Sequence, residues 1–274
     1  MSRSELERVV SALEKRGLVI VLTGAGISRD SGVPTFRGEE GYWRVGSKNY
    51  HPQELATFAS FQRLPEEVWA WYLYRLGVCR KASPNPSHTA LVELENKLGD
   101  DFLLITQNVD GLHSRAGNSA ARTYPIHGNI EQVRCSASCT ATCFPIPEAV
   151  RPKQKGEGLS EEEARWLKCR NCGARLRPHV LWFDECYDEE HFRFRSSLEA
   201  AARCSTLISV GSSGSTNLPA QVAAVAARGQ ALLVDINPEP NPFAELACRA
   251  GGTWLRGSAS QVLPEIVARV HARS

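Results

Sequence analysis

Two clusters of cysteines, one histidine and one glycine-rich turn are residues of this chain whose types and spacing could do chemistry. Cys169-Arg-Asn-Cys172 is a C-x-x-C knuckle, and Cys135, Cys139 and Cys143 lie upstream at intervals that could complete a four-thiolate site. Paired thiolates bind zinc tetrahedrally. With nine cysteines, an odd number, and no export signal at Met1-Ser-Arg-Ser-Glu-Leu-Glu, a metal accounts for the clusters better than disulfides do. Gly24-Ala-Gly26-Ile-Ser28 follows an apolar run, where glycines let backbone N–H groups approach a phosphate and a helix N-terminus favours its charge. Arg29 interrupts the full dinucleotide fingerprint, so a tight turn without a ligand explains the glycines equally well. His127, between Ile126 and Gly128, offers the side chain that accepts a proton near neutral pH, although a lone histidine is more often structural. Tyr72 and Arg75 stand three apart in a helical pattern and share a face. A guanidinium beside a phenol can hold a carboxylate, or can simply lie over an aromatic surface.

The elements that must position these groups follow from hydrophobic patterning. Short apolar runs at residues 18–22, 102–105, 206–210 and 231–236 are bounded by turn residues and separated by helical patterns. Buried strands alternating with helices predict a parallel sheet covered on both faces, an α/β fold. Ser4-x-x-Glu7 predicts a capping box that opens a helix running to about Arg16. The alternation fails over residues 39–97, which read as helical and aromatic, and over 129–187, which are irregular and carry most of the cysteines. The prediction is a Rossmann-like domain of residues 1–38, 98–128 and 188–274, with a helical module (39–97) and a zinc-binding module (129–187) forming a smaller lobe. Ligands of open parallel sheets bind beyond the carboxyl ends of the strands, so the cleft between the lobes is the expected site. At 42% hydrophobic and 23% charged residues the chain reads as an ordinary globular protein, and no run approaches a membrane span. Its 32 basic residues nearly balance 30 acidic ones, which gives no reason to expect nucleic acid. A cytoplasmic, monomeric protein is expected.

Four segments taken together resemble the signatures of sirtuins: Gly24-Ala-Gly-Ile-Ser-Arg-Asp-Ser-Gly-Val-Pro-Thr-Phe-Arg-Gly38, Thr106-Gln-Asn-Val-Asp-Gly-Leu-His113, Ile126-His-Gly128 and Arg177-Pro-His-Val-Leu-Trp-Phe183. Their order and spacing match, from the first strand to the last helix. The resemblance implies an NAD-dependent protein-lysine deacylase that releases nicotinamide and O-acyl-ADP-ribose, with NAD as co-substrate and one structural zinc. It implies that Gly24, Ala25, Gly26, Asp30, Phe36, Arg37, Gln107, Asn108, Asp110, Gly211, Ser212 and Asn237 line the NAD site. It makes His127 the base that activates a ribose hydroxyl, with Asn108 beside it, and puts Leu181 and Phe183 on the acyl-lysine substrate. Cys135 follows Gln132-Val-Arg134, where the family's first ligand sits, so the expected zinc set is Cys135, Cys139, Cys169 and Cys172.

A Tyr-x-x-Arg pair such as Tyr72 and Arg75 resembles the sirtuins that remove malonyl, succinyl and glutaryl groups. The alternatives are a plain deacetylase, an ADP-ribosyltransferase or an NAD glycohydrolase. Two departures from the family pattern stand out: Asp184 where glycine is usual, and a loop at residues 211–219 that is one residue longer.

Overall fold

The computed structural model describes residues 3–34, 43–45 and 48–273. In chain order its strands are β1 (Val19–Thr23), β2 (Trp43–Val45), β3 (Lys48–Tyr50), β4 (Phe102–Thr106), β5 (Thr123–Pro125), β6 (Gly128–Cys135), β7 (Phe144–Pro145), β8 (Leu176–Val180), β9 (Thr206–Val210), β10 (Leu232–Asn237) and β11 (Thr253–Arg256). Its helices are α1 (Arg3–Leu13), α2 (Pro52–Leu55), α3 (Phe58–Arg63), α4 (Pro65–Lys81), α5 (Pro86–Leu98), α6 (Leu112–Ala116), α7 (Glu161–Trp166), α8 (Glu189–Phe192), α9 (Phe194–Arg203), α10 (Asn217–Arg228), α11 (Pro242–Arg249) and α12 (Ala259–Ala272).

Six strands pair in parallel in the order β11-β10-β9-β1-β4-β5. Successive side chains of a strand point to opposite faces, and here both faces are apolar. Val19 and Val21 join Phe102, Leu104, Ile208 and Val210 under α1, α5 and α12. Ile20 and Leu22 join Leu103, Ile105 and Leu207 under α9, α10 and α11. Each such side chain contributes about 1.5–3 kcal/mol on burial, which is why the strands are continuous apolar runs rather than alternating ones. After β5 the order turns back to β9 on the other side of β1, so the topological switch lies between β1 and β9.

A second core forms the smaller lobe from α3, α4, β6 and β8. Pro65 starts α4 at the position where its missing N–H costs nothing, with Glu66 and Glu67 in the first turn and Arg80 and Lys81 in the last, matching the helix dipole. Trp69, Trp71, Tyr72, Leu73 and Leu76 are all buried, so α4 is enclosed nearly all round. Trp69 Nε1 donates to the Leu176 carbonyl at 2.9 Å and ties the helix to β8. The departing residue Asp184 has a structural role. Its carboxylate accepts the Phe58 and Ala59 N–H groups at 2.7 and 3.1 Å and caps α3 from 126 and 125 residues away.

The patterning missed several features. α1 begins at Arg3 and ends at Leu13, so Ser4 lies inside the helix and not at its cap. Residues 39–97 include the hairpin of β2 and β3, a short antiparallel pair. α5, which belongs to the stretch read as the helical module, packs with α12 against the sheet through Ala90, Leu91 and Leu94. The edge strands β5 and β11 also went unread.

Candidate functional site

β1, β4 and β9 end level with one another, so the loops that follow them converge over the switch point. Gly26 N–H donates to the Gly211 carbonyl at 2.8 Å. A Cβ on Gly26 would lie 2.7 Å from the Gly211 Cα and carbonyl oxygen, and Gly211 has φ +60°. These two glycines let the loops cross backbone on backbone, a requirement that holds with or without a phosphate.

The Gln107–Asp110 segment leaves β4 directly over this crossing. Gln107 Nε2 donates to Ser212 Oγ at 2.9 Å, and its Oε1 accepts from Thr216 Oγ1 at 2.8 Å. Asn108 Nδ2 donates to the Gly24 carbonyl and to Ser28 Oγ at 3.1 and 3.0 Å. Asp110 accepts from Ser28 Oγ at 2.7 Å and from the Leu112 N–H at 2.9 Å. Asn237, at the end of β10, donates to the Ser212 carbonyl at 3.0 Å. Gly24, Ala25, Gly26, Gln107, Asn108, Asp110, Gly211, Ser212 and Asn237 therefore meet in one region. Asp30 does not join them, because its carboxylate turns to Ser260 Oγ at the start of α12. Phe36 and Arg37 lie outside the described residues.

His127 sits between β5 and β6. Its Nδ1 is 2.9 Å from the Gln107 carbonyl and its Nε2 is 2.8 Å from the Tyr187 hydroxyl. A carbonyl can only accept, so Nδ1 carries the proton and Nε2 holds the lone pair. Burial lowers the imidazole pKa to about 4, partly offset by the Gln107 carbonyl, which favours the charged ring. Gly128 follows with φ +86°, and a Cβ there would meet the His179 carbonyl at 2.1 Å. Only glycine lets β6 start against β8.

The chain after β8 lines the approach to His127. Leu181 N–H donates to the His127 carbonyl at 3.0 Å, and Phe183 N–H to the Ala56 carbonyl at 3.0 Å. The Phe183 ring is 60% exposed. Between them, Trp182 is buried and donates through Nε1 to Tyr72 Oη at 2.7 Å. Arg177 lies 3.5 Å over the Trp182 ring and pairs with Glu185. Arg75 is buried on the same helix as Tyr72, its guanidinium 5.4 Å from the Trp71 centroid. Burial pushes the Tyr72 phenol well above its usual range, so it remains a proton donor.

The sulfurs of Cys135, Cys139, Cys169 and Cys172 lie within 4.8 Å of one another. Two pairs, Cys135 with Cys172 and Cys139 with Cys169, are 3.5 Å apart. Tetrahedral zinc with thiolates at about 2.3 Å needs sulfurs roughly 3.8 Å apart, so the donor set fits a structural zinc ion. Cys143 is turned away, its sulfur 3.3 Å from His179 Nδ1.

Tyr187, Thr216 and Ser28 were not read as site residues. No local signal marks them, because each earns its place only through a partner 60 or more residues away. His113 and His88 form a further buried pair beneath the site, ring centroids 4.9 Å apart, with His113 Nε2 3.0 Å from Thr23 Oγ1.

The sequence pattern of the Sir2 family matches residues 24–217. A protein of Leptospira interrogans named NAD-dependent protein deacylase is 39% identical over 264 residues, covering 96% of this chain and 97% of its own. One of Thermus thermophilus with the same name is 42% identical over 245 residues, covering 88% and 87%. A solved Sir2 homologue in complex with NAD matches with a TM-score of 0.80 and 32% identity over 97% of this chain and 94% of that one. A Sir2 structure with a p53 peptide and NAD+ matches at 0.74 and 27% identity over 98% of each.

Two predictions follow from this geometry. Replacing Cys169 and Cys172 together by serine abolishes metal binding and unfolds the smaller lobe, because the site does not exist in the unfolded chain. Elemental analysis of chelator-free protein should find one zinc per chain, retained in Cys143→Ser and lost in Cys139→Ser; the reverse result would reassign the ligand. The second concerns acid. Burial keeps His127 neutral down to about pH 4, and burial also depresses His88 and His113, the latter further through its neighbour's charge. Unfolded imidazoles protonate near 6.5, so below that pH the unfolded state binds more protons and stability falls. Asp235 works the other way: burial raises its pKa to about 6, so the folded state holds an extra proton between about pH 4 and 6. Burial lowers the His179 pKa to about 4 as well, so four groups outweigh one, and the melting temperature should drop by roughly 5 °C or more from pH 7 to pH 5. A flat or rising profile in calorimetry would contradict this.

Proposed function

Since the chain belongs to the Sir2 family and is an NAD-dependent protein deacylase, we propose that it cleaves acyl-lysine with His127 as base and prefers succinyl, malonyl or glutaryl groups to acetyl. The observation that carries the first part is the His127 ring, protonated at Nδ1 toward Gln107 and basic at Nε2, beside the Gln107–Asp110 segment. NAD, when bound, supplies the electrophilic ribose carbon and the leaving nicotinamide. Gly24, Ala25, Gly26, Gly211, Ser212 and Asn237 hold the adenosine and phosphate side, while Gln107, Asn108 and Asp110 hold the nicotinamide end. Asp30, Phe36 and Arg37 belong to the same proposed set on the family pattern alone.

His127 Nε2 takes the proton of a ribose hydroxyl. As the ring becomes charged, the Gln107 carbonyl on Nδ1 stabilises the imidazolium, the role a carboxylate fills in hydrolase triads. With its pKa near 4 in the cofactor-free protein, the ring is in its basic form throughout the physiological range. Asn108 is held by two bonds through Nδ2, which leaves Oδ1 as an acceptor for substrate. Leu181 and Phe183 flank the acyl-lysine and exclude water from it.

The acidic preference rests on Tyr72 and Arg75, which share a buried face of α4. A substrate carboxylate entering that interior loses its hydration, a penalty of several kcal/mol unless a cation meets it. Arg75 supplies the cation with bidentate geometry. Tyr72 accepts from Trp182 and so keeps its own proton to donate. The zinc lies in the other module and holds the fold. None of the nine cysteines is in a disulfide and four of them form the zinc set, which supports a reducing, cytoplasmic setting, and no helix among the described residues is long and apolar enough to cross a membrane. We take the chain to act as a monomer without nucleic acid.

His127→Ala should abolish deacylation of every acyl-lysine peptide while sparing the melting temperature and most NAD affinity; near-normal turnover would remove the base assignment. Arg75→Met should lower the succinyl-to-acetyl ratio of kcat/KM by roughly 10- to 100-fold, mostly through KM. If mass spectrometry on a peptide panel finds that ratio near one in the unaltered enzyme, or unchanged in Arg75→Met, the protein is a plain deacetylase.

A further inference from the structure

Tyr187 lies in the stretch that returns the chain from the smaller lobe to α8, between the exposed residues Cys186 and Asp188. Its ring is half-buried, stacked on Phe194 with centroids 6.5 Å apart, and its hydroxyl is 2.8 Å from His127 Nε2. Proton placement in this chain of bonds is settled by chemistry. Nδ1 gives its proton to the Gln107 carbonyl, so Nε2 bears none and accepts the hydrogen bond that the phenol donates. An sp² ring nitrogen has one lone pair and accepts one good hydrogen bond. On the reading that His127 is the base, that lone pair must go to the ribose hydroxyl during catalysis.

We propose that Tyr187 gates the base: its phenol occupies Nε2 in the cofactor-free enzyme and withdraws when the ribose hydroxyl of NAD arrives. The tyrosine is a positioning residue that takes no proton from substrate. Gln107, whose carbonyl orients the His127 ring, is itself held by Ser212 and Thr216, so the capped base is tied to the loop that receives the cofactor. The gate keeps the base capped by an internal donor until the ribose is present, and it taxes NAD binding by one hydrogen bond.

The test is Tyr187→Phe, which removes a single oxygen. NAD should bind about fivefold more tightly, the size of one net hydrogen bond, with the gain carried by KM for NAD. The gain should vanish with an NAD analogue whose nicotinamide-side ribose lacks both hydroxyls, and in a His127→Ala background. A merely structural tyrosine would give weaker binding, or the same change with both cofactors, and either result overturns the gate. A crystal structure of the unaltered enzyme with ADP-ribose is an independent check: the phenol should stand beyond hydrogen-bond range of Nε2, and a phenol still near 2.8 Å would refute the proposal. Full deacylation by His127→Ala alone would instead refute the base assignment, so the two readings fail separately.

Discussion

The site depends on a place where two loops touch through backbone alone. Gly26 N–H meets the Gly211 carbonyl because neither residue has a side chain to keep the loops apart. The strand register makes that contact possible, since β1 is flanked by β4 and β9 and all three end together. Once the loops cross, Ser212 comes within reach of Gln107, and Gly24 and Ser28 within reach of Asn108. A side chain at either glycine would separate the loops and break the network that holds the segment after β4.

The stretch after β8 ties the smaller lobe to this network, alongside the Ile130 N–H that donates to the Val109 carbonyl at 2.9 Å. Leu181 bonds the His127 carbonyl, Trp182 bonds Tyr72, and Asp184 caps α3. Glu185 holds Arg177 and Arg134, and Arg177 in turn covers the Trp182 ring. Residues 181–185 therefore join the histidine, the helix bearing Tyr72 and Arg75, and the core around α4. Asp184 replaces the conformational freedom of the family's usual glycine with a tertiary cap, which stiffens the wall beside the exposed Phe183.

Burial sets the electrostatics of the interior. His127, His88 and His113 are all held neutral chiefly because a charged ring would lose its hydration. For His127 this has a consequence for chemistry, because the ring stays unprotonated and its basic nitrogen is decided by a backbone carbonyl. A carbonyl compensates less than a carboxylate would, which leaves the imidazole available as a base and costly to charge in the absence of substrate.

The sequence by itself determined the four central strands β1, β4, β9 and β10 and their order of appearance, because fully buried parallel strands are continuous apolar runs bounded by turn residues. It also marked the two cysteine clusters as a zinc site, since zinc fixes ligand type and approximate spacing, and the family to which the glycines, the Gln107–Asp110 segment and His127 point. Short edge strands such as β5 and β11 escaped notice because three or four residues carry too little periodicity. Only the tertiary structure separated Cys139 from Cys143, because both intervals allow a ligand and only the direction of the turn after β6 decides. It alone showed why Asp184 is tolerated, which way the His127 ring faces and that Tyr187 sits on its free nitrogen. Those features are contacts between residues 20 to 126 positions apart, and such proximity is a property of packing that no local pattern encodes.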